Sequence, residues 1–127
     1  MRSCRTFAPE VASIRAARHF VLGAAGEVTK DTGDAISVMV SELAMNAVQY
    51  AATDFDVLVE LADGHLRVQV SDAGGGQPTP GPLPPLASPH GRGLILVGTL
   101  ADAWGVEAMP DAPGKSVWFT IGVGEER

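Results

Sequence analysis

Val57-Leu58-Val59-Glu60-Leu61-Ala62-Asp63-Gly64-His65-Leu66-Arg67-Val68-Gln69-Val70 is the stretch that decides the fold. Val57, Val59 and Leu61 alternate with their neighbours, and Leu66, Val68 and Val70 do the same. A period of two places each set on one face of a strand. Asp63-Gly64 between them suits a type I′ turn, whose two central residues both need positive φ. The stretch therefore predicts an antiparallel hairpin with one apolar face, and that face must be buried against another layer.

The flanking sequence supplies that layer. Upstream, Ser3 to Ala8 reads as a short first strand, and Pro9 suits the first turn of a helix. Ile14, Ala17, Arg18 and Val21 then recur at helical spacing until Gly23 and Gly26 end the pattern. Glu27 to Gly33 reads as a loop. A longer helix follows from about Asp34 to Ala51, with Ile36, Val40, Leu43 and Ala47 as its apolar stripe. Downstream, Ala73 to Gly91 holds most of the prolines and reads as a long loop, a feature that is usually functional in compact domains. A short helix starts near Gly93 and runs to Ala101. Trp104 to Ala108 and Lys115 to Val123 form a closing strand pair, with both tryptophans expected in packing roles. The order of elements predicts an α+β fold: a two-layer sandwich with a mixed, mostly antiparallel sheet and the helices on one face.

The chain has 127 residues, 46% of them apolar and 19% charged, which is one domain's worth of foldable sequence. A formal net charge of −6 argues against direct nucleic-acid binding and against an anionic membrane surface. A single cysteine, Cys4, allows no internal disulfide and points to a reducing, cytoplasmic setting. Pro9, Glu10, Arg15 and Arg18 interrupt any signal-peptide core, and no run is long enough to span a bilayer. His19, His65 and His90 have no metal-ligand spacing.

Three short segments carry candidate chemistry. Glu42 and Asn46 lie four apart and share a helix face, with Gln49 one turn further on, opposite the Leu43 stripe. Asparagine costs about half a kcal/mol against alanine inside a helix. Its amide oxygen is a hard ligand suited to Mg²⁺, and a neighbouring carboxylate can orient or deprotonate a hydroxyl. Taken alone, the pair reads better as a solvated polar face. Asp72-Ala73-Gly74-Gly75-Gly76 follows a strand end, where a fixed carboxylate can accept from an exocyclic amine and glycines permit close backbone approach. Alone it also reads as an ordinary turn. Gly91-Arg92-Gly93-Leu94 enters a helix, a geometry that suits phosphate or a plain hinge. Gly114-Lys115-Ser116 leads into a strand and is no P-loop.

The order of these segments is more specific than any one of them. Glu42-x-x-x-Asn46, Asp72-x-Gly74-x-Gly76, Gly91-x-Gly93-Leu94 and Gly114-Lys115-Ser116-Val117-Trp118-Phe119 resemble, in that order, the boxes of the histidine-kinase-like ATPase superfamily. The resemblance runs from Thr6 to Ile121 and is strongest to the anti-sigma-factor serine/threonine kinases. It implies the two-layer ATP-binding sandwich of that superfamily, as one domain over residues 1–127. It also implies ATP and Mg²⁺ as cofactors, with Asn46 on the metal, Glu42 as catalytic base and Asp72 on the adenine amine. Gly74 and Gly76 would shape the pocket, and residues from about 77 to 92 would form a lid. Gly91, Arg92, Gly93 and Leu94 would meet the phosphates at its hinge. Ser116 would line the adenine end. The implied partners are an anti-anti-sigma protein that carries the accepting serine, a sigma factor, and a second copy in a homodimer. Gln49 stands where relatives often carry Lys or Arg, Tyr50 where this branch often has His, and Pro113 where a glycine is usual. The sequence shows no dimerisation helix pair and no phospho-accepting histidine box, which sets it apart from a complete sensor histidine kinase. The competing expectations are a non-catalytic, nucleotide-gated binding module and a plain interaction domain without ligand.

Overall fold

Asp63 and Gly64 take φ values of 53° and 75°, so the predicted turn closes with both central residues in the left-handed region. It joins two strands of a computed structural model that describes residues 1–51, 53–72, 89–108 and 114–123. The elements are β1 (Arg2–Phe7), α1 (Val11–Ala25), α2 (Lys30–Asn46), a π-helical turn (Ala47–Ala51), β2 (Phe55–Ala62), β3 (His65–Asp72), α3 (Pro89–Leu100), β4 (Ala103–Ala108) and β5 (Lys115–Gly122).

The five strands form one sheet in the order β1-β2-β3-β5-β4. All four pairings are antiparallel, so the expected majority pattern extends across the whole sheet. Val57, Val59, Leu66, Val68, Val70, Phe119 and Ile121 point to one face and are buried there. The helices cover that face. From α1 come Ala17, Val21 and Ala25; from α2 come Ile36, Met39, Val40, Leu43 and Ala44. Full burial of such a side chain stabilises by roughly 1.5–3 kcal/mol, which makes this layer contact the main support of the fold. Arg18 Nη1 donates to Ser41 Oγ at 3.1 Å and links α1 to α2.

The helix boundaries differ from the sequence reading for local reasons. Gly23 sits inside α1, and Gly26, at φ 78°, is the residue that ends it. Residues 30–33 belong to α2 instead of a loop, because the Thr29 side chain accepts from the Thr32 amide at 3.1 Å and caps the helix there. At the other end the predicted single helix changes to π geometry after Asn46, a distortion common at functional sites. The third helix begins at Pro89, ahead of the expected Gly93.

Both tryptophans pack without being core residues: a Cβ at Gly98 would lie 3.0 Å from the Trp104 ring, and one at Gly105 2.9 Å from that of Trp118. Trp104 is 39% exposed. Trp118 lies half-buried on the helix-free face, where the Arg67 guanidinium stands 5.0 Å from its ring centroid. Cys4 is exposed in β1 as a free thiol. Among the described residues, no helix is long and apolar enough to cross a membrane.

Candidate functional site

The end of β3 and the end of α2 each carry a buried polar side chain, Asp72 and Asn46. Along β3, Leu66, Val68, Val70 and Asp72 alternate onto that side, so the strand periodicity that builds the core also delivers a carboxylate to its rim. Asp72 is paired in register with Phe55 of β2 and Lys115 of β5. It is 6% exposed, and its Oδ2 forms an ion pair with Lys115 Nζ at 3.3 Å. The other oxygen, Oδ1, is buried without a partner.

Asn46 presents the same anomaly on the helix layer. It lies at the last position of α2, against the π turn, and α2 and that turn both pack on β3. Its side chain is buried at 8% exposure, and its Oδ1 has no hydrogen-bond partner. The expectation of a polar face opposite the Leu43 stripe is therefore corrected. Asn46 belongs to the buried arc formed by Met39, Val40, Leu43, Ala44 and Ala47. The angular step of 100° per residue puts position 46 beside 39 and 43 on the helix wheel. Glu42, one turn earlier, is half-buried, and Gln49 is exposed within the π turn.

A buried acceptor with no donor costs about 1–3 kcal/mol, so folded proteins rarely keep one without a use. Two of the three such atoms among the described residues are oxygens on the helix-covered side of the sheet, Asn46 Oδ1 and Asp72 Oδ1. Both suit the ligand named by the resemblance. A neutral amide oxygen fits Mg²⁺, which is commonly held by one or two protein groups together with substrate phosphates. A carboxylate oxygen fits an amine hydrogen.

The remaining site residues are placed as follows. Gly91, Arg92, Gly93 and Leu94 lie in the first turns of α3, which packs against α2. The last four positions of the expected 77–92 lid are thus helical, while 77–88 lie outside the described residues, as do Gly74 and Gly76. Ser116 lies apart from Asp72. Its hydroxyl meets Ser71 Oγ at 2.7 Å on the helix-free face, on the other side of the sheet from Asp72. Its neighbour Lys115 takes the place beside Asp72, and sequence reasoning missed it. The signal was available: if Val117 and Phe119 face the core, a period of two sends Lys115 to that side and Ser116 to the other.

On the helix-free face, Arg67, Gln69, Ser71 and Ser116 form a hydrogen-bonded chain. A shallow groove of about 430 Å³ near Cys4, Asp56 and Gln69 lies on that face too. The orphaned acceptors, not this concavity, mark the candidate site.

Residues 7–121 match the family model of the histidine kinase-like ATPase domain. Among solved structures, the chain resembles the crystal structure of the RsbU and RsbW domains of Rv1364c from Mycobacterium tuberculosis, at 20% identity with a TM-score of 0.73. The match covers 99% of this chain and 33% of that one, so the chain spans about a third of that structure's length. No curated protein is significantly similar in sequence.

Proposed function

The chain belongs to the histidine kinase-like ATPase domain family, and from that premise we propose that it is an ATP-dependent protein serine/threonine kinase that also sequesters a sigma factor. The observation that carries the reading is the pair of buried, partnerless acceptors, Asn46 Oδ1 and Asp72 Oδ1, on the helix-covered side of the sheet. An RsbW domain in the structural neighbour supports the anti-sigma branch.

In this reading Asp72 Oδ1 accepts a hydrogen from the exocyclic amine of adenine and sets the depth of the nucleotide. Asn46 Oδ1 offers one ligand to Mg²⁺. Bound there, the ion neutralises charge on the phosphates. By the resemblance Gly91, Arg92, Gly93 and Leu94 would meet the phosphates; because α3 begins at Pro89, Gly91 is the one of the four whose N–H falls among the orphan donors of the helix N-terminus. By the resemblance, too, Gly74 and Gly76 would shape the pocket and residues from about 77 to 92 would form a lid. Glu42 orients the hydroxyl of an anti-anti-sigma protein. As the serine Oγ–Pγ bond forms and the bond from Pγ to the β,γ-bridging oxygen breaks, ADP leaves and the serine proton passes to Glu42. Such transfer depends mostly on positioning and electrostatics, and little covalent chemistry falls to the protein. A cytoplasmic location follows from these partners, and a symmetric homodimer is the simplest assembly.

Calorimetry of Mg-ATP with the wild type and with Asp72→Asn tests the site. Binding that weakens strongly in the variant supports it; a wild type that binds no nucleotide refutes it. Glu42→Ala tests the chemistry with a candidate acceptor and labelled ATP. Retained binding with lost transfer assigns Glu42 to catalysis, whereas loss of both assigns it a structural role. The second reading, a nucleotide-gated binding module without transfer, draws on the exposed Gln49 at a position where relatives often carry a cation. Binding without transfer by the wild type would select it.

A further inference from the structure

We propose that Lys115 is a second reader of the nucleobase, donating to the ring nitrogen next to the exocyclic amine that Asp72 binds. The proposal rests on the reading of Asp72 as the base-binding group and adds a specificity residue to it.

Three features of the structure carry it. Lys115 reaches Asp72 on the helix-covered side, directly opposite it in the β3–β5 register. Its Nζ holds Oδ2 at 3.3 Å, longer than the ~2.7–2.9 Å of an optimised charge-assisted bond. An ammonium has three N–H donors, and this contact uses one of them. The Lys115 side chain is 41% exposed against 5% for Asp72, so its head lies toward the open side of the carboxylate.

The consequence is a change in what the carboxylate can read. A free carboxylate offers two acceptors side by side and suits an edge with two adjacent donors. With Oδ2 held by Lys115, the site offers one acceptor, Oδ1, beside one cationic donor. The matching edge has a donor next to an acceptor. A 6-aminopurine provides this, with N6–H for Asp72 Oδ1 and N1 for Lys115 Nζ. The pairing leaves both protein groups satisfied once the base is seated.

The test compares ATP, 1-deaza-ATP and 7-deaza-ATP, each with Mg²⁺, by calorimetry on the wild type and on Lys115→Met. The 1-deaza analogue lacks the proposed acceptor; the 7-deaza analogue lacks a ring nitrogen that Lys115 does not read. The wild type is expected to bind 1-deaza-ATP roughly ten- to a hundredfold more weakly than ATP, the scale of one hydrogen bond to a charged group. It should bind 7-deaza-ATP about as well as ATP. In Lys115→Met the gap between ATP and 1-deaza-ATP should close. Equal binding of ATP and 1-deaza-ATP by the wild type overturns the proposal while leaving the nucleotide site standing. That arm needs no variant, so a poorly folded Lys115→Met does not protect the idea. An undiminished gap in a folded Lys115→Met also overturns it. Absence of all nucleotide binding by the wild type overturns the proposal together with the reading beneath it.

Discussion

Replacing Asn46 with leucine should make the protein more stable and blind to nucleotide at the same time. Asn46 is 8% exposed, and its Oδ1 is buried without a donor among Met39, Leu43 and their neighbours. Removing an unsatisfied buried acceptor recovers part of a cost of about 1–3 kcal/mol. Leucine is also the better helix former by roughly half a kcal/mol. Leucine matches asparagine in branching, but its two methyl groups are larger than the amide O and NH2, and the resulting overpacking offsets part of these gains. The net expectation is a variant more stable by ~1–2 kcal/mol, or a melting temperature higher by about 4–8 °C for a domain of this size. With Mg-ATP at a hundred times its Kd, the wild type gains ~2.7 kcal/mol by linkage, and the variant gains none. The order of melting therefore reverses. The Asn46→Leu protein melts higher than the wild type without ligand and lower with it. Thermal unfolding followed by circular dichroism, with and without Mg-ATP, reads both halves. A variant that melts below the wild type without ligand would refute the claim that Oδ1 is held at a cost. A variant that keeps the full ligand shift would refute its place in the site.

Thr29→Ala should cost about 1 kcal/mol, because it removes the side chain that caps α2 through the Thr32 amide. A lower urea midpoint with an unchanged slope is the expected signature, and an unchanged midpoint would mean that the cap contributes nothing. Gly105→Ala and Gly23→Ala should move stability in opposite directions. A Cβ at Gly105 would come within 2.9 Å of the Trp118 ring, while one at Gly23 meets nothing within 4 Å. The first should destabilise by ~1–3 kcal/mol through overpacking. The second should stabilise by about 0.4–1 kcal/mol, since Gly23 lies inside α1. Denaturant titration measures both, and equal signs would contradict the packing described here.

The amino-acid sequence by itself determined whatever depends on near neighbours along the chain. Asp63-Gly64 dictates its turn because only a few residue types take positive φ twice in succession. The alternation of Val57, Val59, Leu66, Val68 and Val70 dictates a one-sided hairpin, and the stripe through Ile36, Val40 and Leu43 dictates the helix that covers it. Thr29 is legible as a cap, since its side chain can accept from the amide three residues on. The order of the four motif segments was enough to indicate the family that residues 7–121 match. Tertiary structure decided which of these groups meet. Asp72 and Lys115 are 43 positions apart, and only the β3–β5 register brings them together and turns Ser116 to the opposite face. Asn46 reads as a surface polar residue until the sheet and the π turn close around it and leave its oxygen without water. Burial and cross-strand pairing are properties of the assembled layers. A partnerless acceptor, the feature that most clearly marks the site, exists only once those layers have excluded solvent.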